Sequence, residues 1–441
     1  MEPAPRRPWK RAAAWLAFLG PFFFASYGFA NWVASRRADV GSLVYDWERT
    51  IPFAPWTIVP YWSIDAFYAV SVFVCATARE LDTHARRLVA AQVGAVACFL
   101  LFPLTFTFPR PETDGLFGTM FDVLMGFDKP FNQAPSLHMA LLVILWVLYA
   151  RHVPRAWRWL LHAWFALIGV SILTTYQHHF VDLPTGAWLG WLCVWLFPDE
   201  GRSPLAHARF TSDPARRAIA LRYGLGAAAC AVLAWGIGGW AHWLFWVSGS
   251  LLLVAVIYAF LDEGAFQKRA DGSMTAASRW LMGPYFAAAW INSRWWTRKV
   301  PAHGEVVPGL RLGRIPTRAD CESNGYRGVV DLTAELSCET GVPRYSVVPQ
   351  LDLTVASPEH LERAVAAIEA ARAQGPTLVC CALGFSRSAL AVAAWLVASG
   401  RARSAAEALE AVRRARPHVV LGPAHVEVLE RFAREREAEP A

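Results

Sequence analysis

Charge is scarce in this sequence. Asp, Glu, Lys and Arg make up only 17% of its 441 residues, against about a quarter in ordinary soluble domains. That excludes a chain soluble throughout. Paired cysteine spacing is also missing. The eight cysteines (Cys75, Cys98, Cys193, Cys230, Cys321, Cys338, Cys380 and Cys381) never fall as C-x-x-C, so neither a zinc site nor a disulfide framework is supported. The first apolar run is long and has no small-residue cleavage site, so it reads as a spanning helix rather than a signal peptide. The formal net charge of +7 sits largely in short loops between apolar runs. Nucleic acid is therefore not an expected partner.

What is abundant is apolar. Hydrophobic residues reach 55%, and the 22 tryptophans fit a chain with many membrane–water boundaries. A spanning helix needs roughly 20 mostly apolar residues. Candidate spans are 12–34, 57–77, 88–108, 137–150, 158–176, 183–197, 217–237 and 241–261. The fourth and sixth are short, and each begins beside a polar cluster. Basic residues mark every second loop: Arg6, Arg7, Lys10 and Arg11; Arg79, Arg86 and Arg87; Arg151, Arg155 and Arg158; Arg202, Arg209, Arg216 and Arg217. By the positive-inside rule these face the cytoplasm, with 109–136 and 177–182 outside. The stretch 278–297, broken by Gly283-Pro284 and rich in Trp, reads as an interfacial helix. From about residue 300, short β-branched runs alternate with Ala/Glu/Arg helices, the pattern of a soluble α/β domain.

Within that domain, PTLVCCALGFSRSALAVAAWLVASG spans residues 376–400. Thr377 to Cys380 reads as a buried strand, Cys381 opens a loop, and a helix runs from Ser388 to Gly400. Cys381 and Arg387 stand in C-x-x-G-x-x-R-S spacing. A strand, a tight loop and a helix N-terminus make an anion cradle, because loop amides and the helix dipole point inward. Such a field favours thiolate over thiol. Arg387 offers a planar fork for two phosphate oxygens, Gly384 lets the backbone approach the ligand, and the Ser388 hydroxyl can donate to the sulfur. The loop interior (Ala382, Leu383, Phe385, Ser386) adds no cation, which disfavours highly phosphorylated inositols. With LRLGRIPTRAD and GYRGVVDLTAE upstream, residues 300–437 resemble the protein tyrosine and dual-specificity phosphatases. The resemblance implies a cysteinyl-phosphate intermediate and a general acid on an upstream loop. Asp352 in VVPQLDLTVASPEHL is the candidate; Asp331, inside an apolar run, is a weaker one. The family usually has His before the nucleophile. Here Cys380 stands there, either filling strand space or acting as a redox partner.

Two further clusters sit at the ends of the short spans: APSLH, with Pro135 to His138, and QHHFVD, with His178 and Asp182 in H-x-x-x-D spacing. Polar groups crowding membrane-helix ends are functional candidates, and a carboxylate four residues on can orient an imidazole. These pieces, over residues 55–200, resemble the type-2 phosphatidic acid phosphatases and their inositol phosphorylceramide synthase-like branch. The resemblance implies that His178 attacks phosphorus, Asp182 orients it and His138 protonates the leaving group. The family's first-motif Lys is Pro103 here, and its third-motif Arg is Ile172. Phosphate binding then falls to Arg110, with Lys129 in the same loop.

The expected architecture is an α-helical multi-pass membrane bundle followed by an α/β cysteine-phosphatase domain, a central sheet flanked by helices. It divides into a six-span lipid-phosphatase-like domain (1–200), two further spans with an interfacial helix (201–297), and a phosphatase-like domain (298–441). The expected function is a membrane phosphatase with two sites. The alternatives are a lipid head-group phosphotransferase and a membrane-tethered phosphate-binding module. The expected partners are membrane lipids and phosphorylated lipids or proteins. Neither chemistry as read requires a metal or cofactor. The expected location is an inner membrane of bacterial type, with the N-terminus and the C-terminal domain cytoplasmic.

Overall fold

The computed structural model describes residues 7–438; Arg6, counted among the basic residues above, lies outside them. The chain forms two compact units, one ending at Ala206 and the other beginning at His207. In the first, seven helices follow in order: α1 (Trp9–Ala34), α2 (Ile58–Val74), α3 (Ala78–Leu101), α4 (Gly115–Phe127), α5 (Leu137–His152), α6 (Arg158–Thr174) and α7 (Asp182–Leu196). All six expected spans of this region are present as helices. Two boundaries are corrected. The third span begins at Ala78 rather than 88, because Thr77 caps it by accepting from the Glu80 N–H; it ends at Leu101, just before Pro103. Arg79, Arg86 and Arg87 therefore lie on a helix and not in a loop. Arg87 is buried and paired with Asp199 at 3.0 Å. The expected outward loop 109–136 also contains an apolar helix, α4.

Small residues set the packing that matters most here. A Cβ on Gly186 would lie 2.4 Å from the Ser136 carbonyl oxygen, and one on Gly190 would lie 2.7 Å from that of Ala140. This G-x-x-x-G face lets α7 press its backbone against α5. The Ser136 N–H also donates to the Asp182 carbonyl at 3.0 Å. The starts of the two short helices, with both polar clusters, are thereby held side by side.

The second unit opens with α8 (Pro214–Ile237) and α9 (Leu244–Phe260), then α10 (Ala276–Trp296). Among the described residues, six helical stretches are long and apolar enough to cross a membrane; they include Pro214–Ile237 and Gly239–Phe260 but not α10. The α/β part follows: β1 (His303–Val307), β2 (Leu310–Arg314), α11 (Arg318–Ser323), β3 (Gly328–Thr333), β4 (Arg344–Gln350), α12 (Pro358–Arg372), β5 (Thr377–Cys381), α13 (Arg387–Ala398), α14 (Ala405–Ala415) and α15 (Pro423–Ala438). The sheet order is β1-β2-β5-β3-β4, antiparallel only between β1 and β2. The central strands β3 and β5 are buried throughout, as parallel strands covered on both faces should be. Helices α12 and α13 bury Leu361, Ile368, Leu390 and Trp395 in a core shared with Val330, Val379 and Leu429. That core fixes the end of β5, where Cys381 stands.

Candidate functional sites

In the second unit, β5 delivers Cys381 to the turn that enters α13. The Gly384 N–H donates to its sulfur at 3.3 Å and the Ser388 hydroxyl donates at 3.2 Å. Gly384 has φ +73°, and a Cβ there would come within 2.4 Å of the Gly313 carbonyl carbon, so the loop tolerates no side chain at this point. Arg416 braces the loop from behind. Its guanidinium donates to the carbonyls of Gly384 (2.9 Å), Leu383 (3.1 Å) and Pro301 (2.7 Å). His425 lies 3.0 Å from the Ser386 hydroxyl.

Arg387 is almost wholly buried and already oriented. It makes a two-pronged ion pair with Glu335 at 2.9 and 2.6 Å, donates to the Gln350 carbonyl at 2.9 Å, and lies 3.0 Å from the Asp352 carboxylate. Burial alone would weaken its hold on the proton; the Asp352 and Glu335 carboxylates more than offset that and drive its pKa well up. The guanidinium thus stays cationic beside the thiol. Asp352 lies on the β4–α12 connection, its side chain partly open to solvent. Serine 357 caps the following helix by accepting from His360.

Glu335 is the residue that sequence reading missed. It closes the quoted GYRGVVDLTAE run, but its partner is 52 residues away, and no local spacing announces that. Asp331 is corrected as an acid candidate. It is fully buried, bonded to Lys268 at 2.5 Å and to the Tyr345 hydroxyl at 2.7 Å. The redox role for Cys380 is likewise corrected. Successive strand residues point to opposite faces, so Cys380 packs with Cys321, Tyr326, Val329 and Leu378 while Cys381 joins the other core. Burial, with Cys338 and Asp331 nearby, drives the Cys380 thiol's pKa well up. Asp331, Cys338 and Cys380 lie within 4.8 Å of one another, close enough for metal ligands, but Lys268 already answers the carboxylate there.

In the first unit, His178 Nδ1 lies 3.0 Å from Asp182 Oδ2, and its Nε2 lies 3.3 Å from the Ser136 hydroxyl. A carboxylate on Nδ1 leaves Nε2 as the nitrogen with a free lone pair. His138 starts α5, its ring stacked 4.1 Å from that of Tyr61, with a buried Nε2 that makes no hydrogen bond. The H-x-x-x-D pair and the APSLH serine are thus in contact, while His138 packs on Tyr61.

The phosphate-binding side is poorer. Arg110 spends Nε and one terminal nitrogen on the carbonyls of Thr175 (3.1 Å) and Tyr176 (3.0 Å). Burial lowers its pKa, opposed by Tyr61 and Asp128. Lys129 is exposed, and among the described residues it pairs with none of these groups. Ile172, at the expected Arg position, is buried with Ile58, Tyr61 and Phe121. Two carboxylates were not foreseen. Asp128 accepts from the Tyr27 hydroxyl at 2.8 Å; burial raises its pKa, countered by Tyr27, His178 and Arg110. Glu48 accepts from His179 Nδ1 at 3.1 Å and the Phe180 N–H at 2.9 Å. Burial would raise its pKa, but these bonds and the Tyr45 N–H bring it below the usual value. The Glu48–His179 pair anchors the loop that carries His178.

Comparison with known proteins gives a family match in each unit. Residues 322–435 match the family described as dual specificity phosphatase, catalytic domain; residues 85–199 match the PAP2 superfamily. Among solved structures, the phosphatase PTPMT1 in complex with PI(5)P is 26% identical over 31% of this chain and 98% of its own, with a TM-score of 0.29. Human DUSP28 is 28% identical over 31% of this chain and 97% of its own, with a TM-score of 0.29. Tk-PTP in its active form is 29% identical over 31% of this chain and 98% of its own, with a TM-score of 0.28. The chain joins a PAP2 domain to a dual-specificity phosphatase domain, both phosphatase families, and the protein is a phosphatase.

Proposed function

We propose that the C-terminal domain hydrolyses phosphate monoesters through a cysteinyl-phosphate intermediate, and that the membrane domain dephosphorylates lipid phosphates through a phosphohistidine. The single observation that carries the first half is the convergence of Arg387, Asp352 and the Gly384 and Ser388 donors on the Cys381 loop. The Cys381 thiolate attacks phosphorus, the ester P–O bond breaks, and Asp352 gives its proton to the leaving alcohol. Arg387 and the loop amides hold the equatorial oxygens as charge builds on them. Water, losing its proton to Asp352, then cleaves the P–S bond and releases phosphate, while Ser388 supports the departing sulfur.

At the membrane site His178 Nε2 is the nucleophile, Asp182 holds its Nδ1, and His138 protonates the leaving oxygen. Arg110 is the phosphate ligand. Lys129, given that role by sequence, is exposed and stays a second candidate. One observation favours a second reading of this site. Arg110 is committed to backbone carbonyls, and the Asp128 carboxylate stands close. On that reading the site binds lipid head groups and turns them over slowly or not at all.

The alternation of basic segments supports a cytoplasmic N-terminus and a cytoplasmic phosphatase domain, in an inner membrane of bacterial type. The test uses full-length protein in detergent, with phosphatidic acid and an aryl phosphate as substrates. Cys381→Ser should remove aryl phosphate hydrolysis, and His178→Ala should remove the remaining phosphatidic acid hydrolysis. Activity within about tenfold of the parent in Cys381→Ser would overturn the nucleophile assignment, since losing a positioned nucleophile costs far more. Unchanged lipid turnover in His178→Ala, with Cys381 already replaced, would favour the binding reading.

A further inference from the structure

The segment between the two family matches belongs to neither, yet it is built into the cysteine site. Residues 207–300 fall in the same compact unit as the phosphatase domain. Three successive parts of that segment grip the site. Near the end of α9, the Tyr258 hydroxyl donates to the Asp352 carbonyl at 3.0 Å. Beyond it, Lys268 enters the sheet and closes on Asp331 and Thr333. On α10, the Ser293 hydroxyl donates to the carbonyl of Ala382, next to the nucleophile, at 2.5 Å, and Trp290 packs on the cluster of Ile315, Leu336 and Ala382.

The depth of the site follows from Tyr258. It lies two residues before the last residue of α9, Phe260, which at 1.5 Å per residue is about 3 Å of helix. The loop bearing the proton donor therefore touches a spanning helix within its final turn, at the level where head-group phosphates lie. Tyr223 of α8 and Tyr285 of α10 extend an aromatic wall, the Tyr223 ring lying 5.8 Å from that of Tyr258 and 5.6 Å from that of Tyr285. Beside Asp352 the loop turns apolar side chains outward: Leu353 is 68% exposed and Val355 38%. Leu353 does so at φ +58°, a left-handed conformation that a leucine adopts only when its surroundings impose it. Ile291, Trp295 and Trp296 on α10 are exposed as well, as interfacial residues are.

We infer that the Cys381 site takes a phosphomonoester on the head group of a lipid lying in the bilayer that holds α8 and α9, and that Tyr258 positions the acid loop for it. The inference rests on the proposed cysteine chemistry and names its substrate class. A loop with no cation of its own between Cys381 and Arg387 suits a single phosphate. A phosphorylated protein segment would have to be drawn down onto the membrane surface to reach the same point.

The experiment uses full-length protein carrying His178→Ala, in mixed micelles of neutral detergent. The probes are dioleoyl phosphatidic acid, a phosphatidylinositol monophosphate, a phosphotyrosine peptide and p-nitrophenyl phosphate. At least one lipid should exceed the peptide in kcat/KM by tenfold or more, with a rate that rises with its mole fraction in the micelle. Leu353→Asp should lower the ratio of lipid to aryl phosphate turnover by about tenfold. Tyr258→Phe should lower kcat on lipid with little change in KM and shift the alkaline limb of the pH profile, which mere loss of folded protein would not do. A peptide turned over as well as both lipids, or rates indifferent to mole fraction, would overturn the inference. If aryl phosphate hydrolysis still requires Cys381 in that case, only the substrate class is wrong. If no probe is turned over in a Cys381-dependent way, the proposed chemistry falls with it.

Discussion

Arg387 is held in its working orientation before any phosphate arrives. A guanidinium this buried needs partners, and Glu335 supplies a two-pronged one. Breaking a buried pair of this kind costs about 3–5 kcal/mol, so the fork does not swing away between turnovers. The more open partner is Asp352, which shares one Arg387 nitrogen at 3.0 Å while its side chain remains partly exposed. A substrate phosphate competes for that nitrogen and frees the carboxyl to face the leaving oxygen. Asp352→Asn should therefore lower kcat on an alkyl or phenyl phosphate by about 10²–10⁴. The sign of the pH effect follows from the role. A proton donor works in its protonated form, so parent activity falls as pH rises, and this alkaline limb should flatten in Asp352→Asn. A rate–pH profile that keeps its alkaline limb would assign the proton to another group.

At the scale of elements, each site depends on how two backbones meet. In the membrane unit it is α5 against α7, with Gly186 and Gly190 leaving no room for a side chain. Gly186→Val would press a Cβ onto the Ser136 carbonyl and part the helix starts that bring Ser136 and His178 together. Overpacking of this type costs about 1–3 kcal/mol. Phosphatidic acid hydrolysis dependent on His178 should fall more than tenfold, while Cys381-dependent aryl phosphate turnover, in the other compact unit, should stay within about twofold. Equal loss of both would mean the change unfolds the chain rather than opening the helix pair. What sequence reading could see divides along the same line. Cys381, Gly384, Arg387 and Ser388 were legible because eight consecutive residues on a strand–loop–helix turn fix their own geometry. Asp352 was legible from its place before the Ser357-capped helix. Glu335, Tyr258 and Lys268 were not, because each reaches the site through tertiary packing from a distant element. A tyrosine near the end of an apolar helix looks like any interfacial tyrosine until the sheet is folded against it.

For the whole molecule, one chain carries matches to two phosphatase families, and the chemistry we propose for them is histidine-based in one unit and cysteine-based in the other. The proposed orientation puts the segment near Asp114 outside and the segment near Arg209 in the cytoplasm. Single cysteines placed near Asp114 and near Arg209, in a chain cleared of other reactive thiols, test this with a membrane-impermeant label on intact cells. The first should label from outside and the second only after permeabilisation; the reverse pattern would invert the orientation. Central to the account is the claim that phosphate passes through the Cys381 sulfur. Rapid quench of the full-length His178→Ala protein during turnover of an aryl phosphate, followed by mass spectrometry of its peptides, tests that claim most directly. The account predicts a phosphoryl group on the peptide containing Cys381, accumulating in Asp352→Asn, where hydrolysis of the intermediate is slowed, and absent in Cys381→Ser. Turnover that continues in Cys381→Ser, or a phosphoryl group trapped on any other residue of the domain, would contradict it.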